Sequence, residues 1–73
     1  MCQAVKNPRA AREKRGENQT VFWGRIGVTQ SAGSRYEAGR MLSESLAALL
    51  TIAYGTLRQA DAEMRRIRRE GIL

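Results

Sequence analysis

The sequence predicts a small all-α domain of four to five short helices. Its 73 residues leave room for one domain, and a chain of this size buries only about 60% of its unfolded surface, so we expect a thin core or a dimer. Apolar residues recur at helical spacing, most regularly at Leu46, Leu49, Leu50 and Ala53, which we expect to be core. Residues that commonly cap helix N-termini precede the helical stretches, and glycines follow several of them.

Positive charge predominates along the chain. There are 13 lysines and arginines against 7 aspartates and glutamates, a formal net charge of +6, which indicates nucleic acid or another anionic surface as the partner. The longest apolar-rich run, residues 46–54, is far shorter than the roughly 18 residues of a membrane-spanning helix, and no signal-peptide pattern opens the sequence. We therefore expect a cytoplasmic, nucleoid-associated protein with no membrane contact.

Residue types that support catalysis or metal binding are few. Histidine is absent and Cys2 is the single cysteine, which excludes an internal disulfide framework and a Cys/His zinc site. We interpret Cys2 as a reduced residue in a frayed segment. Nucleophilic catalysis needs a nucleophile, a base and an orienting group, and the serines have no histidine to activate them. We expect a protein that is not an enzyme and uses no cofactor or metal.

The predicted domain spans residues 8–55 and follows a short N-terminal arm. Residues 1–7 have no periodic pattern, and we expect them to be disordered. The first helix of the domain then runs over residues 8–15, with Pro8 in its first turn and Asn7 as its N-cap. It has little apolar surface and needs tertiary packing to be stable.

Two helices separated by a tight turn lie at the centre of this domain. The first covers residues 19–26 and ends at Gly27, a residue suited to positive φ. The second covers residues 29–38, with Thr29 or Ser31 as N-cap and Tyr36 as its main apolar anchor. The face of the first helix that we expect to be apolar comprises Phe22, Trp23 and Ile26.

The helix pair resembles the helix-turn-helix of the phage lambda and Cro repressors, the XRE family. The residues that carry the resemblance are Gln19, Phe22, Ile26-Gly27-Val28, Thr29-Gln30-Ser31 and Tyr36-Glu37-Ala38-Gly39-Arg40. With the flanking helices, the similarity covers roughly residues 8–55. It implies a lambda-repressor-like fold and sequence-specific binding to double-stranded DNA in transcription regulation, usually by a dimer on half-sites about 34 Å apart.

The resemblance also implies which residues contact DNA, through a recognition helix that enters the major groove N-terminus first. The expected base contacts are Gln30, Ser31, Ser34 and Arg35, and the expected phosphate contacts are Gln19, Thr29 and Arg40. Glutamine pairs with adenine and arginine with guanine, whereas phosphate contacts fix the register. The alternative is that these side chains are solvated polar residues.

Two structural pairs follow from the same resemblance. In the family an arginine of the first helix commonly pairs with the glutamate after the aromatic residue, which implies an ion pair between Arg12 and Glu37; alternatively, Arg12 is solvated. The family usually has a small residue where this chain has Trp23 and a β-branched residue where it has Gly33. We expect a volume-conserving exchange in which the indole fills the space above the glycine, rather than an exposed tryptophan and a broken helix.

The last segment, residues 56–73, is predicted to form a basic amphipathic helix. Thr56 and Gln59 form a capping box, and Asp61 and Arg65 are placed for an i,i+4 ion pair. An apolar seam comprises Leu57, Ala60, Met64 and Ile67. The helix is a dimer contact, a phosphate-tracking basic tail or an ordinary packed helix. A different functional class, an antitoxin or adaptor, would use the same seam to hold a partner protein.

Overall fold

A computed structural model describes residues 1–72, and over that range it contains six α-helices and no strand. The helices are α1 (Gln3–Lys6), α2 (Pro8–Lys14), α3 (Gln19–Gly24), α4 (Gln30–Glu37), α5 (Glu44–Tyr54) and α6 (Leu57–Glu70). This confirms the predicted all-α class, with α3 and α4 as the central pair. Residue 73, the end of the predicted C-terminal segment, lies outside the described residues.

Capping side chains fix where the helices begin. From α2 to α6, a side-chain oxygen of the N-cap accepts the backbone N–H three residues later; the caps are Asn7, Asn18, Thr29, Ser43 and Thr56. At α6 the capping box is complete, because the Gln59 side chain also accepts the Thr56 N–H at 2.9 Å. Such caps satisfy backbone donors that have no partner inside the helix.

The turn between α3 and α4 begins earlier than predicted. α3 ends at Gly24 rather than Ile26, because residues 25–27 form a turn that closes with Gly27 at φ 77°. The Val28 N–H reaches back to the Trp23 carbonyl at 3.0 Å. A positive φ is accessible to glycine at little cost, so Gly27 allows the chain to reverse at this point.

The prediction of a disordered arm over residues 1–7 is wrong. Residues 3–6 form α1, which packs on α5. Cys2 and Ala4 are only 4% and 2% exposed and belong to the hydrophobic core, so Cys2 is not frayed. The reason is tertiary: one helical turn shows no periodicity in a sequence, yet its small apolar side chains are stabilised by burial against the domain.

Aromatic residues of α3 and α5 form the centre of the core. Phe22, Trp23 and Leu50 are its largest fully buried side chains. The Phe22 ring stacks on Tyr54 at a centroid distance of 4.2 Å and meets the Trp23 ring edge-on at 5.5 Å. The Tyr54 hydroxyl donates to the Phe22 carbonyl oxygen at 2.5 Å, which joins α5 to α3.

The buried face of α5 differs from the predicted stripe. Leu50 is fully buried, but Ala53 is exposed, and Leu46 and Leu49 are only partly buried. Ala48, outside the predicted stripe, is fully buried instead. The physical reason is that α5 packs on α1 and the core on one side and on α6 on the other, so a single amphipathic face does not describe it.

α6 returns along α5 to form a helical hairpin. The Ser45 hydroxyl, near the start of α5, donates to the Ile72 carbonyl oxygen just beyond α6, at 2.9 Å. α6 has no buried residue, and the seam is uneven: Ala60 and Ile67 are partly buried, whereas Leu57 is 91% and Met64 47% exposed. Among residues 1–72, no helix is both long and apolar enough to span a membrane.

Candidate nucleic-acid interface

The packing of α3 on α4 depends on a large residue facing a glycine. Trp23 is fully buried and Gly33 is buried opposite it. A Cβ atom added at Gly33 would lie 2.8 Å from the Trp23 Nε1 atom and closer still to the indole Cγ and Cδ1 atoms. The indole therefore occupies the space above the glycine, as the volume exchange between these two positions requires.

Glu37 is the acceptor that holds three helices together. Its carboxylate accepts hydrogen bonds from Arg12 Nε and Nη2 at 2.8 and 2.9 Å, from Trp23 Nε1 at 2.8 Å and from Gln19 Nε2 at 3.2 Å. The Glu37 side chain is only 4% exposed. Arg12 and Glu37 thus form a bidentate ion pair that links α2 to α4, and the two other donors add α3.

The charge state of Glu37 follows from these contacts. Burial raises the pKa of the Glu37 carboxyl, but the hydrogen bonds from Arg12, Trp23 and Gln19 outweigh it, so the pKa lies below its ordinary value. The hydrogen bond to Glu37 likewise raises the pKa of Arg12. At neutral pH both groups are charged, and the cross-link between the helices is a full ion pair.

The outer face of α4 presents polar side chains to solvent. Gln30, Ser31, Ser34 and Arg35 are all exposed, and together with Gln19 they line one shallow cleft of about 410 Å³. The structure therefore brings the four residues expected to contact bases together with one residue expected to contact phosphate. Their amide, hydroxyl and guanidinium groups are the donor and acceptor types that pair with base edges in the major groove.

The three predicted phosphate contacts have different surroundings. Gln19 donates one Nε2 hydrogen to Glu37, which leaves its second amide hydrogen and its carbonyl oxygen for a ligand. Thr29 Oγ1 accepts the Ala32 N–H as the α4 cap, and its hydroxyl can still donate. Arg40 does not line the α4 cleft; it is exposed, with its guanidinium 5.7 Å from the Tyr36 ring centroid.

A second charged cluster lies at the other end of α3. The Arg25 guanidinium donates to Glu17 Oε2 at 2.9 Å and to the Tyr54 hydroxyl at 2.6 Å. Hydrogen bonds from Arg25 and Arg15 lower the pKa of Glu17 to about 2. Arg15 and Arg25 also lie 4.9 and 5.3 Å from the Tyr54 ring centroid. Arg15 and Arg25 therefore bind Glu17 and the Tyr54 ring within the chain. They contribute less to the positive charge available for DNA than the net charge of the sequence suggests.

One contact of the site was not predicted from the sequence. The Trp23 N–H bond to Glu37 makes the tryptophan a polar partner as well as a packing residue. A buried indole N–H usually finds an acceptor, so the predicted burial of Trp23 indicated that an acceptor would be present, but not that Glu37 would supply it.

Comparison with known protein families identifies a match to the central part of the chain. A protein-family model described as the RsaL-like HTH domain matches residues 9–53, more than half of the chain. The matched segment contains all of α3 and α4, most of α2 and nearly all of α5. No curated protein and no solved structure matches the sequence. The family match confirms a helix-turn-helix DNA-binding domain, whereas the closer resemblance to the lambda and Cro repressors stays a prediction.

Proposed function

The chain belongs to the RsaL-like helix-turn-helix family, and from this we propose that it is a sequence-specific DNA-binding transcription regulator of the cytoplasm and nucleoid. The observation that supports this most directly is the exposed polar face of α4, whose residues share one cleft with Gln19. A net charge of +6 adds an electrostatic attraction to DNA that does not depend on sequence. Residues 8–55 act as the DNA-binding domain, in a lambda-repressor-like arrangement.

Base recognition is assigned to the α4 face. α4 enters the major groove N-terminus first, the docking geometry of recognition helices in this class of motif. Gln30 pairs with adenine N6 and N7, Arg35 pairs with guanine O6 and N7, and Ser31 and Ser34 hydrogen-bond to either base type. Each bidentate pair contributes about 1 to 3 kcal/mol of discrimination against the wrong base.

Phosphate contacts are assigned to Gln19, Thr29 and Arg40. The first two lie at the N-terminal ends of α3 and α4, where side chains and backbone N–H groups commonly contact the DNA backbone. The bond from Gln19 to Glu37 holds the amide in one orientation. The ion pair of Arg12 with Glu37 therefore supports this contact without touching DNA.

A dimer is assigned to α6. Leu57 and Met64 expose apolar surface on this helix, and Ala60 and Ile67 lie beside them, partly buried. A second copy packed against this seam would remove that surface from water, which is favourable by about 25 cal/mol per Å². Two recognition helices related by a twofold axis would then read two half-sites.

Selection of bound duplexes from a random DNA pool, at about physiological salt, tests the proposed function, because non-specific phosphate binding is weak under those conditions. We expect enrichment of a palindrome whose half-site spacing reports the distance between the two α4 helices. Recovery of no preferred sequence by the folded protein would contradict sequence-specific binding. It would favour the second candidate, an antitoxin or adaptor, for which the exposure of Leu57 and Met64 on α6 is the supporting observation.

Two substitutions separate base recognition from phosphate binding. Gln30→Ala should relax the preference at one base pair by about 1 to 3 kcal/mol and leave the other positions unchanged. Arg40→Ala should weaken binding to all sequences alike, because a phosphate contact does not depend on the base. Competition binding of single-base variants of the selected duplex measures both effects. Identical profiles for the two variants would contradict the assigned roles.

A further inference from the structure

We propose that α1 supplies a second backbone contact, in which Lys6 and Arg40 together bind one stretch of DNA phosphates beside the recognition helix. This inference rests on the proposed function and extends it to a segment outside the helix-turn-helix. Lys6 precedes the residues matched by the family, which begin at position 9. The contact is therefore a property of this chain's N-terminal segment.

The two cations share one surface groove. This groove, of about 430 Å³, lies between α1 and the connection from α4 to α5, and Lys6 lines it on one side and Arg40 on the other. Tyr36 also lines the groove, and its ring lies 5.7 Å from the Arg40 guanidinium carbon. Glu44 is the single carboxylate among the lining residues. Lys6 and Arg40 outnumber it, so the charged side chains that line the groove carry a net positive charge, which favours an anionic group at its edge. Apolar residues form much of the remaining lining, among them Val5 and Leu42.

Lys6 occupies a defined place because α1 is docked. Ala4 and Cys2 are buried in the core, and Val5 packs against it. Lys6 follows directly in the last turn of α1, and its side chain is exposed. The next residue, Asn7, caps α2. The backbone on both sides of Lys6 is thus held by packing or hydrogen bonds, which reduces the entropy lost when its side chain binds a ligand.

The groove adjoins the C-terminal end of α4, where Tyr36, Gly39 and Arg40 line it. A recognition helix lies in the major groove with its N-terminal residues towards the bases. Its C-terminal end therefore lies nearer the edge of the major groove, where the phosphates are. Arg40 comes three residues after the end of α4, and Lys6 lines the same surface groove.

The salt dependence of DNA binding tests the contact, measured on the duplex that the wild-type protein selects. Each phosphate neutralised contributes about −0.9 to the slope of log K against log salt concentration. We expect Lys6→Met to make the slope shallower by about that amount and to weaken all sequences equally. Lys6→Arg should keep the wild-type slope, because it keeps the charge.

Lys14→Met is the matched control. Lys14 is also an exposed lysine, but it lines a different groove, with Ala11 and Tyr54, and we expect its slope to equal that of the wild type. Circular dichroism verifies that each variant is folded. An unchanged slope in Lys6→Met, or equal changes in both methionine variants, would overturn the local contact alone. A wild-type protein that binds no DNA would overturn the proposed function, and this inference with it.

Discussion

Trp23 meets two requirements that usually fall to different residues. Its ring fills the space above Gly33, and its N–H donates to the carboxylate of Glu37. The first could be predicted from the sequence, because a large residue and a glycine stand at positions that face each other in similar motifs. The second could not be predicted from size, since it depends on the direction in which the indole enters the core.

Two helical glycines provide a direct test of the Trp23 packing. A Cβ added at Gly33 collides with the indole, whereas one added at Gly24 meets nothing within 4 Å. We expect Gly33→Ala to reduce the free energy of unfolding by about 1 to 3 kcal/mol through overpacking. Gly24→Ala should instead stabilise the protein by up to about 1 kcal/mol, because alanine favours helix. Urea denaturation measures both, and stabilisation by Gly33→Ala would contradict the packing.

Glu37 predicts how stability depends on pH. Its pKa is lowered in the folded state, while a glutamate in the unfolded chain titrates near 4.3. Below that value the unfolded state binds more protons, so the contribution of Glu37 is lost as the pH falls from about 4.3 through the folded-state pKa. Glu37→Gln should therefore cost about 1 to 3 kcal/mol at pH 7 and progressively less towards pH 3.

The measurement is the free energy of unfolding of the wild type and of Glu37→Gln at several pH values. The difference between the two proteins at each pH is the contribution of Glu37. Glu17, whose pKa is lowered to about 2, contributes a similar acid dependence in both proteins and cancels in the comparison. A difference that stays constant from pH 7 to pH 3 would show that the glutamate is not the titrating group.

At the scale of helices, the capping residues in the sequence predicted where most of the helices begin. Asn7, Thr29 and Thr56 cap their helices as expected because an N-cap bond involves residues only three positions apart. The buried face of α5 and the existence of α1 depend on contacts between residues far apart in sequence. Ala53 and Ala48 illustrate the limit: they are the same residue type on one helix, yet Ala48 is fully buried and Ala53 is exposed. Only the packing of α5 on its neighbours, α1 and α6, distinguishes them.

The exposed part of the α6 seam, Leu57 and Met64, gives a test of the dimer. Leu57→Glu should dissociate the dimer, because it places a charge in the apolar contact, and should leave the helix content unchanged, because Leu57 is 91% exposed in the single chain. Met41→Glu is the control: Met41 is 89% exposed but lies in the connection before α5. Sedimentation velocity over a range of concentrations measures the effect. A wild-type protein that stays monomeric throughout would contradict the dimer.

At the scale of the whole molecule, the fold gives the arginines around the helix-turn-helix two different roles. Arg12, Arg15 and Arg25 are used within the chain, in ion pairs that connect helices or their ends. Arg35 and Arg40 are exposed near α4, in two separate grooves. The sequence predicts the total charge and the α4 cleft, since the cleft depends on one helix and its partner. It does not predict the second groove, which exists only because α1 docks.

The burial of Trp23 also has an optical consequence. It is the single tryptophan of the chain, and it lies without solvent exposure at the junction of α3 and α4, beside an ionised carboxylate. Its fluorescence therefore reports on the helix-turn-helix itself rather than on an average over the molecule. Separation of α3 from α4 would expose the indole to water and shift its emission to longer wavelength. DNA bound to the outer face of α4 would not contact the buried indole, so its bases could not stack on the ring. A change in emission on DNA binding would therefore report a change in the packing between α3 and α4.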